Sequence, residues 1–255
     1  LKILDLQAVY VMWLREMKRF VRAKSRIVAS IVQPLFFLII LGAGFRVATF
    51  ADVEGDYIHF LAPGIITMAI MFSSMFTGVS VLWDKQFGFL QEVLVAPISR
   101  FSIIFGRTLG GATTALFQGF IILFISLALG VNIPSIGGFI LTVIIMVLVS
   151  FTAVGFGLII ASKMSDFHGF QVIMNLLVMP LFFLSSAFFP IGESLPIWLK
   201  SIAYFNPLFY MVDGIRGSLT GTNNIFPPII DLLIVLFICV FMMGLGSYFF
   251  SKSEA

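Results

Sequence analysis

Residues 83–100 read WDKQFGFLQEVLVAPISR. Asp84, Lys85, Glu92 and Arg100 crowd into this one segment, and long apolar runs stand on both sides of it, over 58–83 and 101–130. Each run exceeds the about 20 apolar residues that a helix needs to cross the hydrocarbon core of a bilayer. An amphipathic, charged stretch held between two spans predicts an all-α integral membrane protein with a short surface helix between its second and third crossings.

The rest of the chain agrees. Of 255 residues, 60% are hydrophobic and 11% charged, with a mean hydropathy of +1.12, whereas a soluble domain carries about 25% charged residues. Further uncharged runs cover 27–45, 136–162, 169–190 and 230–250, the last with Asp231 at its edge. Six transmembrane helices are expected, with Arg107 snorkelling to the interface near the start of the third. The connection over 191–226 is apolar mainly at 197–212, where Lys200 and Asn206–Pro207 interrupt it. Charges at mid-bilayer are costly, so two short re-entrant helices fit this segment better than a seventh crossing. Before the first span, Leu6, Val9, Trp13, Met17 and Phe20 recur at helical spacing with Arg15, Lys18, Arg19 and Arg22 away from them. This predicts an amphipathic interface helix within 1–26, its cations towards lipid headgroups. The whole of 1–255 forms a single transmembrane domain.

Basic residues set the orientation. Most of the 15 lie in the N-terminal segment, the 83–107 connection, the 163–168 loop and the tail. The loop after the first span is acidic, with Asp52, Glu54 and Asp56. Both termini are expected to be cytoplasmic. The long basic region and spanning-length run that follows argue against a cleaved signal. The chain begins with Leu rather than Met.

Enzyme signatures are missing. His59 and His168 are isolated and fall on opposite faces of the membrane, so no metal site is expected. GRTLGG at 106–111 lacks the Lys-Ser/Thr ending that grips phosphate. Cys239 lies inside an apolar run as a small hydrophobe. Gly106, Gly110, Gly111, Ala112 and Gly119, with Gly155, Gly157, Gly42 and Gly44, suit close helix packing. Gln118, Gln171 and Asn175 are amides within spans, either bonding neighbouring helices or meeting a passing solute.

In 84–100, Phe87, Leu90 and Leu94 share one helical face and Pro97 ends the helix. That apolar ridge suits a groove in another protein. The segment resembles the D-R-E-x-G-x-L-x-x-x-L-V-x-P-x-S-R pattern of the ABC-2 family of membrane permeases, with Asp84, Lys85, Gly88, Leu90, Leu94, Pro97 and Arg100 on it. Gln86 departs from the family's acid there, so that contact is expected to be weaker here or to be carried by Glu92. Downstream, LSSAFFPIGESLPIWLKSIAYFNPLFYMVDGIRG at 184–217 is similar to the family's re-entrant region, with Pro190, Pro196, and Asn206, Pro207, Asp213 and Arg216 on its N-P…D-x-x-R pattern. The resemblance covers nearly the whole chain.

The resemblance implies a coupling helix over 84–97, a re-entrant region over 187–217, and a permease subunit of an ATP-driven exporter in a prokaryotic plasma membrane. Partners would be two copies of a soluble ABC ATPase, a second permease copy (the same chain or a close homologue) and the lipid bilayer, with no nucleic acid. This chain would bind no cofactor; ATP and Mg would sit on the ATPase. Few Tyr and Trp among abundant Phe favour an amphiphilic drug or lipid-like cargo. A lipo-oligosaccharide or polysaccharide is the alternative, and a passive channel or a non-transporting scaffold the alternative of another class.

Overall fold

A computed structural model describes residues 5–45, 53, 56–88, 98–164, 166–192 and 195–253. Among these the chain is helical throughout: α1 (Leu6–Arg22), α2 (Lys24–Gly44), α3 (Tyr57–Gln86), α4 (Arg100–Ala128), α5 (Ile136–Lys163), α6 (Phe167–Phe183), α7 (Ile197–Phe205), α8 (Pro207–Leu219) and α9 (Pro228–Ser253). Five of them, α2, α3, α4, α5 and α9, are long and apolar enough to cross a membrane. The chain is therefore an all-α, multi-pass membrane protein.

Helix starts follow side-chain chemistry. Asp5, Ser99, Ser135, Asp166 and Asn206 cap α1, α4, α5, α6 and α8, each accepting from backbone N–H groups of the first turn. Asp5 N–H also donates to Ser102 Oγ at 2.8 Å, so the start of α1 is pinned to the start of α4.

The third helix is the axis of the bundle. Its apolar stretch is 89% buried, against 17% for α2 and 22% for α9, which present most of their surface outwards. Close backbone approach sets the packing: a Cβ on Gly78 would lie 2.7 Å from the Gly157 carbonyl oxygen, and one on Gly155 2.9 Å from that of Met242. Most glycines of the spans thus serve helix–helix contact, as expected, although Gly44, Gly137 and Gly244 face open space.

Contacts also fix direction. His59, at the start of α3, lies 3.0 Å from the carbonyl of Gly130, past the end of α4, so these helices are antiparallel. Gly155 sits on Met242, and Lys163 Nζ lies 4.5 Å from the Phe249 ring, so α5 and α9 run parallel. Between them α6 runs antiparallel to α3, with Phe182 stacked on Phe72 and Phe167 on Trp83.

The sequence-expected span over 169–190 is a helix only to Phe183. The chain then breaks, with Ser186 at a positive φ of 61°. Helix α6 has 17 residues, about 25 Å at 1.5 Å per residue. The second expected span is longer than 58–83: Asp84, Lys85 and Gln86 form the last turn of α3, and Gly88 takes the left-handed φ of +74° that glycine adopts without penalty.

Candidate functional site

Three groupings of side chains stand out. The first is at the foot of α3, where Asp84 is nearly buried. Its carboxylate accepts from Arg15 Nη1 and Nη2 at 2.8 and 2.7 Å, the two-pronged geometry that makes guanidinium–carboxylate pairs strong. Arg107 Nη2 lies 2.7 Å from Asp84 Oδ2 and Arg19 Nη1 3.6 Å from Asp84 Oδ1. Ser80 Oγ donates to Glu16 Oε1 and accepts from Arg19. Burial pulls the Arg15 pKa down, but the Asp84 hydrogen bond together with the negative charges of Asp84 and Glu16 more than offsets it and leaves the group above its ordinary value. One carboxylate thereby ties α1, α3 and α4 together.

Two expectations change here. Arg107 does not snorkel to the interface; it is 1% exposed, because an inward turn gives its charge a buried partner in Asp84. The face by which α1 packs is Ala8, Val9, Met12, Glu16 and Phe20: it keeps Val9 and Phe20 of the sequence-read row but turns away from Leu6, which is exposed. The cause lies on α4, where Gly106 and Gly110 leave a flat seat that Met12, Val9 and Glu16 fill. Arg15, Glu16, Arg19, Ser80 and Arg107 were not singled out from sequence as one cluster. The available signal was a single acid ending a span opposite a strongly basic helix.

Of the remaining residues in the expected coupling segment, Lys85 lies in the last turn of α3, Gly88 just after it, and Arg100 opens α4. Leu90, Glu92, Leu94 and Pro97 lie outside the described residues.

The second grouping gathers the N-P…D-x-x-R residues. Asn206 accepts from Leu208 N–H through Oδ1 and donates Nδ2 to the Leu181 carbonyl at 2.6 Å, one of the orphan carbonyls ending α6. Pro207 takes the first position of α8, where its missing N–H costs nothing. Asp213 accepts the N–H groups of Ile225 and Phe226 at 2.9–3.0 Å. Arg216 is fully buried. It donates to the Ser186 carbonyl and hydroxyl at 2.6 and 3.1 Å and to the Phe60 carbonyl at 3.2 and 3.3 Å. Its guanidinium also stacks 4.0 Å from the Phe60 ring centroid. Tyr57 Oη donates to the Phe188 carbonyl nearby. Irregular backbone after α6 is thus supplied with partners by side chains of α3 and α8, as an apolar surrounding requires. Pro190 lies in the broken stretch and Pro196 caps α7.

The third is a cleft between α3 and α6, walled by Phe72, Phe76, Phe170, Met75 and Met174 with Gln171 and Asn175 on its rim. The two amides are four residues apart on one face of α6, both exposed, and neither makes a side-chain hydrogen bond among the described residues. Gln118 is elsewhere: it is buried on α4 and donates to Ser30 Oγ of α2. No group of three or more metal-ligating side chains occurs among the described residues.

Comparison with known proteins agrees with this architecture. Residues 7–220 match the family described as ABC-2 type transporter. The chain is 30% identical over 213 residues to the putative transport permease ycf38 of Cyanophora paradoxa, covering 81% of this chain and 73% of the relative. It is 27% identical to the inner membrane transport permease YadH of Escherichia coli K12, over 91% and 90% of the two chains. A probable multidrug ABC transporter permease, YbhR of Escherichia coli K12, is 31% identical over 62% of this chain and 43% of its own length. With a family match across most of its length, the chain belongs to the ABC-2 type transporters, as a membrane permease of the kind that works with an ABC ATPase and is not itself a catalyst.

Proposed function

We propose that this chain is the membrane-spanning half of an ATP-driven exporter that moves an amphiphile, a drug or lipid-like molecule, out of the cytoplasm or inner leaflet. Two permease copies form the pathway, and two ATPase subunits carrying ATP and Mg sit beneath, each receiving the 84–100 segment. The membrane is the plasma membrane of a prokaryote, with both termini on the ATPase side. Closure of the ATPase pair pushes on the foot of α3, where Asp84 passes the displacement to α1 and α4 together. Substrate follows the change by binding the two states unequally.

The observation that carries this reading is the α3–α6 cleft. Its aromatic and thioether walls suit an apolar body, while Gln171 and Asn175 offer two amides to a polar head. Around those amides α6 also exposes Val172 and Leu176. Amides facing lipid would be unfavourable, which supports a second permease copy opposite α6 with the cargo between. The multidrug description of YbhR points the same way. Six crossings are part of this reading: α6 with the chain after it makes the return between the parallel α5 and α9, and α7–α8 form the re-entrant cap.

The test is ATP hydrolysis by the purified complex in lipid vesicles. Hydrophobic amphiphiles are expected to stimulate it, and Gln171→Ala or Asn175→Ala to raise the half-maximal concentration several-fold at unchanged expression. Stimulation by glycan-linked lipids alone would reassign the cargo to a lipo-oligosaccharide or polysaccharide. Flux through the isolated chain without ATP would make it a channel.

A further inference from the structure

The cationic side of α1 lies outside the cargo cleft described above and brings four basic residues, Arg15, Lys18, Arg19 and Arg22, together on one helix. Around α1 the residues sort into three faces. One is buried on α4 through Ala8, Met12, Glu16 and Phe20. A second exposes Leu6, Tyr10 and Val21. Between them Arg15, Lys18, Arg19 and Arg22, at helical spacing, line an open groove with Val11 and Leu14. Lys18 and Arg22 are exposed and form no ion pair among the described residues. Arg15 and Arg19 reach from the same groove to Asp84.

Depth identifies the occupant. His59 and Gly130 meet at one end of α3 and α4. Counting about 20 residues from each, the thickness of a hydrocarbon core, arrives near Val79 on α3 and Gly110 on α4. Arg19 is held by Ser80, and Glu16 lies against Gly110. The groove therefore sits where the phosphates of the facing leaflet lie. We propose that Lys18 and Arg22, with Arg15 and Arg19 behind them, bind the phosphate of an anionic phospholipid, whose first acyl carbons run over Val11 and Leu14. Four cations around one phosphate give charge-assisted bonds that a zwitterionic headgroup, carrying its own cation, receives more weakly. Because Arg15 and Arg19 are shared with Asp84, the lipid and the foot of α3 draw on the same two guanidiniums. Lipid composition is thereby felt where the 84–100 segment begins. This inference rests on the membrane location alone and holds whatever the cargo.

The experiment uses the full chain in nanodiscs of mixed phosphatidylcholine and phosphatidylglycerol, with retained lipids counted by native mass spectrometry. Phosphatidylglycerol is expected to be enriched over its bulk fraction. Lys18→Gln with Arg22→Gln should weaken its retention by about thirtyfold, and the charge-conserving pair Lys18→Arg with Arg22→Lys should keep it. Equal enrichment in the neutralised variant, or none in the parent chain, overturns the proposal. Loss of bound phosphatidylglycerol on adding millimolar inorganic phosphate would assign the groove to a free anion and also overturn it. So would exclusion of the lipid by a co-purified ATPase seated on Lys18 and Arg22.

Discussion

Arg216 shows what one side chain does when the backbone around it is irregular. Its donors end on the Ser186 carbonyl and hydroxyl after α6, where no helical partner remains, and on the Phe60 carbonyl of α3. Its charge is balanced 3.9 Å away by Asp213. Arg216→Met would strand the Ser186 carbonyl and leave Asp213 as a buried, uncompensated carboxylate. A loss of about 3–5 kcal/mol is expected, measured as a fall in melting temperature in detergent; an unchanged melting temperature would remove Arg216 from its role as a staple. Arg216→Lys should recover only part, since an ammonium lacks the planar fork that spans both carbonyls. Asp231 is the opposite case. It is buried in the first turn of α9, where neither carboxylate oxygen has a hydrogen-bond partner among the described residues and the positive helix start favours its charge. Asp231→Asn should therefore be neutral or raise the melting temperature, by about 1 kcal/mol. A marked destabilisation would show that the carboxylate has a partner within the working complex.

At the level of helices, the seat of α1 on α4 depends on absent side chains. A Cβ on Gly106 would lie 2.7 Å from both Met12 Cβ and the Val9 carbonyl oxygen, and one on Gly110 2.6 Å from Glu16 Cβ. Gly106→Leu should push α1 away at a cost of about 1–3 kcal/mol. Trp13 Nε1 donates to Thr113 Oγ1 in the parent chain, so Trp13→Cys with Thr113→Cys, in a Cys239→Ala background, should be joined by a short bifunctional thiol reagent. That product is expected to disappear in Gly106→Leu; if it persists, α1 is held by something other than its glycine seat. The G-x-x-x-G pair was legible as a packing device, but not its partner, because spacing names a face and never says which helix covers it. The same limit explains the α1 error. Its apolar residues support two overlapping faces, and only the shape of α4 chooses the one through Ala8, Met12 and Glu16. Long apolar runs, by contrast, located α2, α3, α4, α5 and α9 within a few residues, since bilayer thickness imposes one length on each. Where the backbone breaks, after Phe183, hydropathy continued through 184–190 and could not report that Arg216 and Tyr57 had replaced the helical hydrogen bonds.

For the molecule as a whole, the parallel run of α5 and α9 constrains the path between them. Both helices end on the same side, where Lys163 meets Phe249, so the intervening chain must return to the side from which α5 began. Helix α6, at about 25 Å, falls short of a core about 30 Å thick, so in the proposed six-crossing arrangement the irregular chain stapled around Ser186 and Leu181 completes the distance. The far side then gathers the α4–α5 turn and the approach to α9: a Cβ on Gly138 would lie 2.3 Å from the Ser218 carbonyl oxygen, and one on Gly221 3.4 Å from Pro134. Single cysteines in a Cys239→Ala background test this in whole cells with a membrane-impermeant maleimide. Asn132→Cys and Asn224→Cys should both be labelled from outside, while His168→Cys should label only after the membrane is opened. Were Asn224→Cys protected and Asn132→Cys labelled, α6 would dip in and out on one side. The termini would then lie on opposite sides, with α9 antiparallel to α5, and the close approach of Gly155 to Met242 would have to be abandoned along with the six-crossing arrangement.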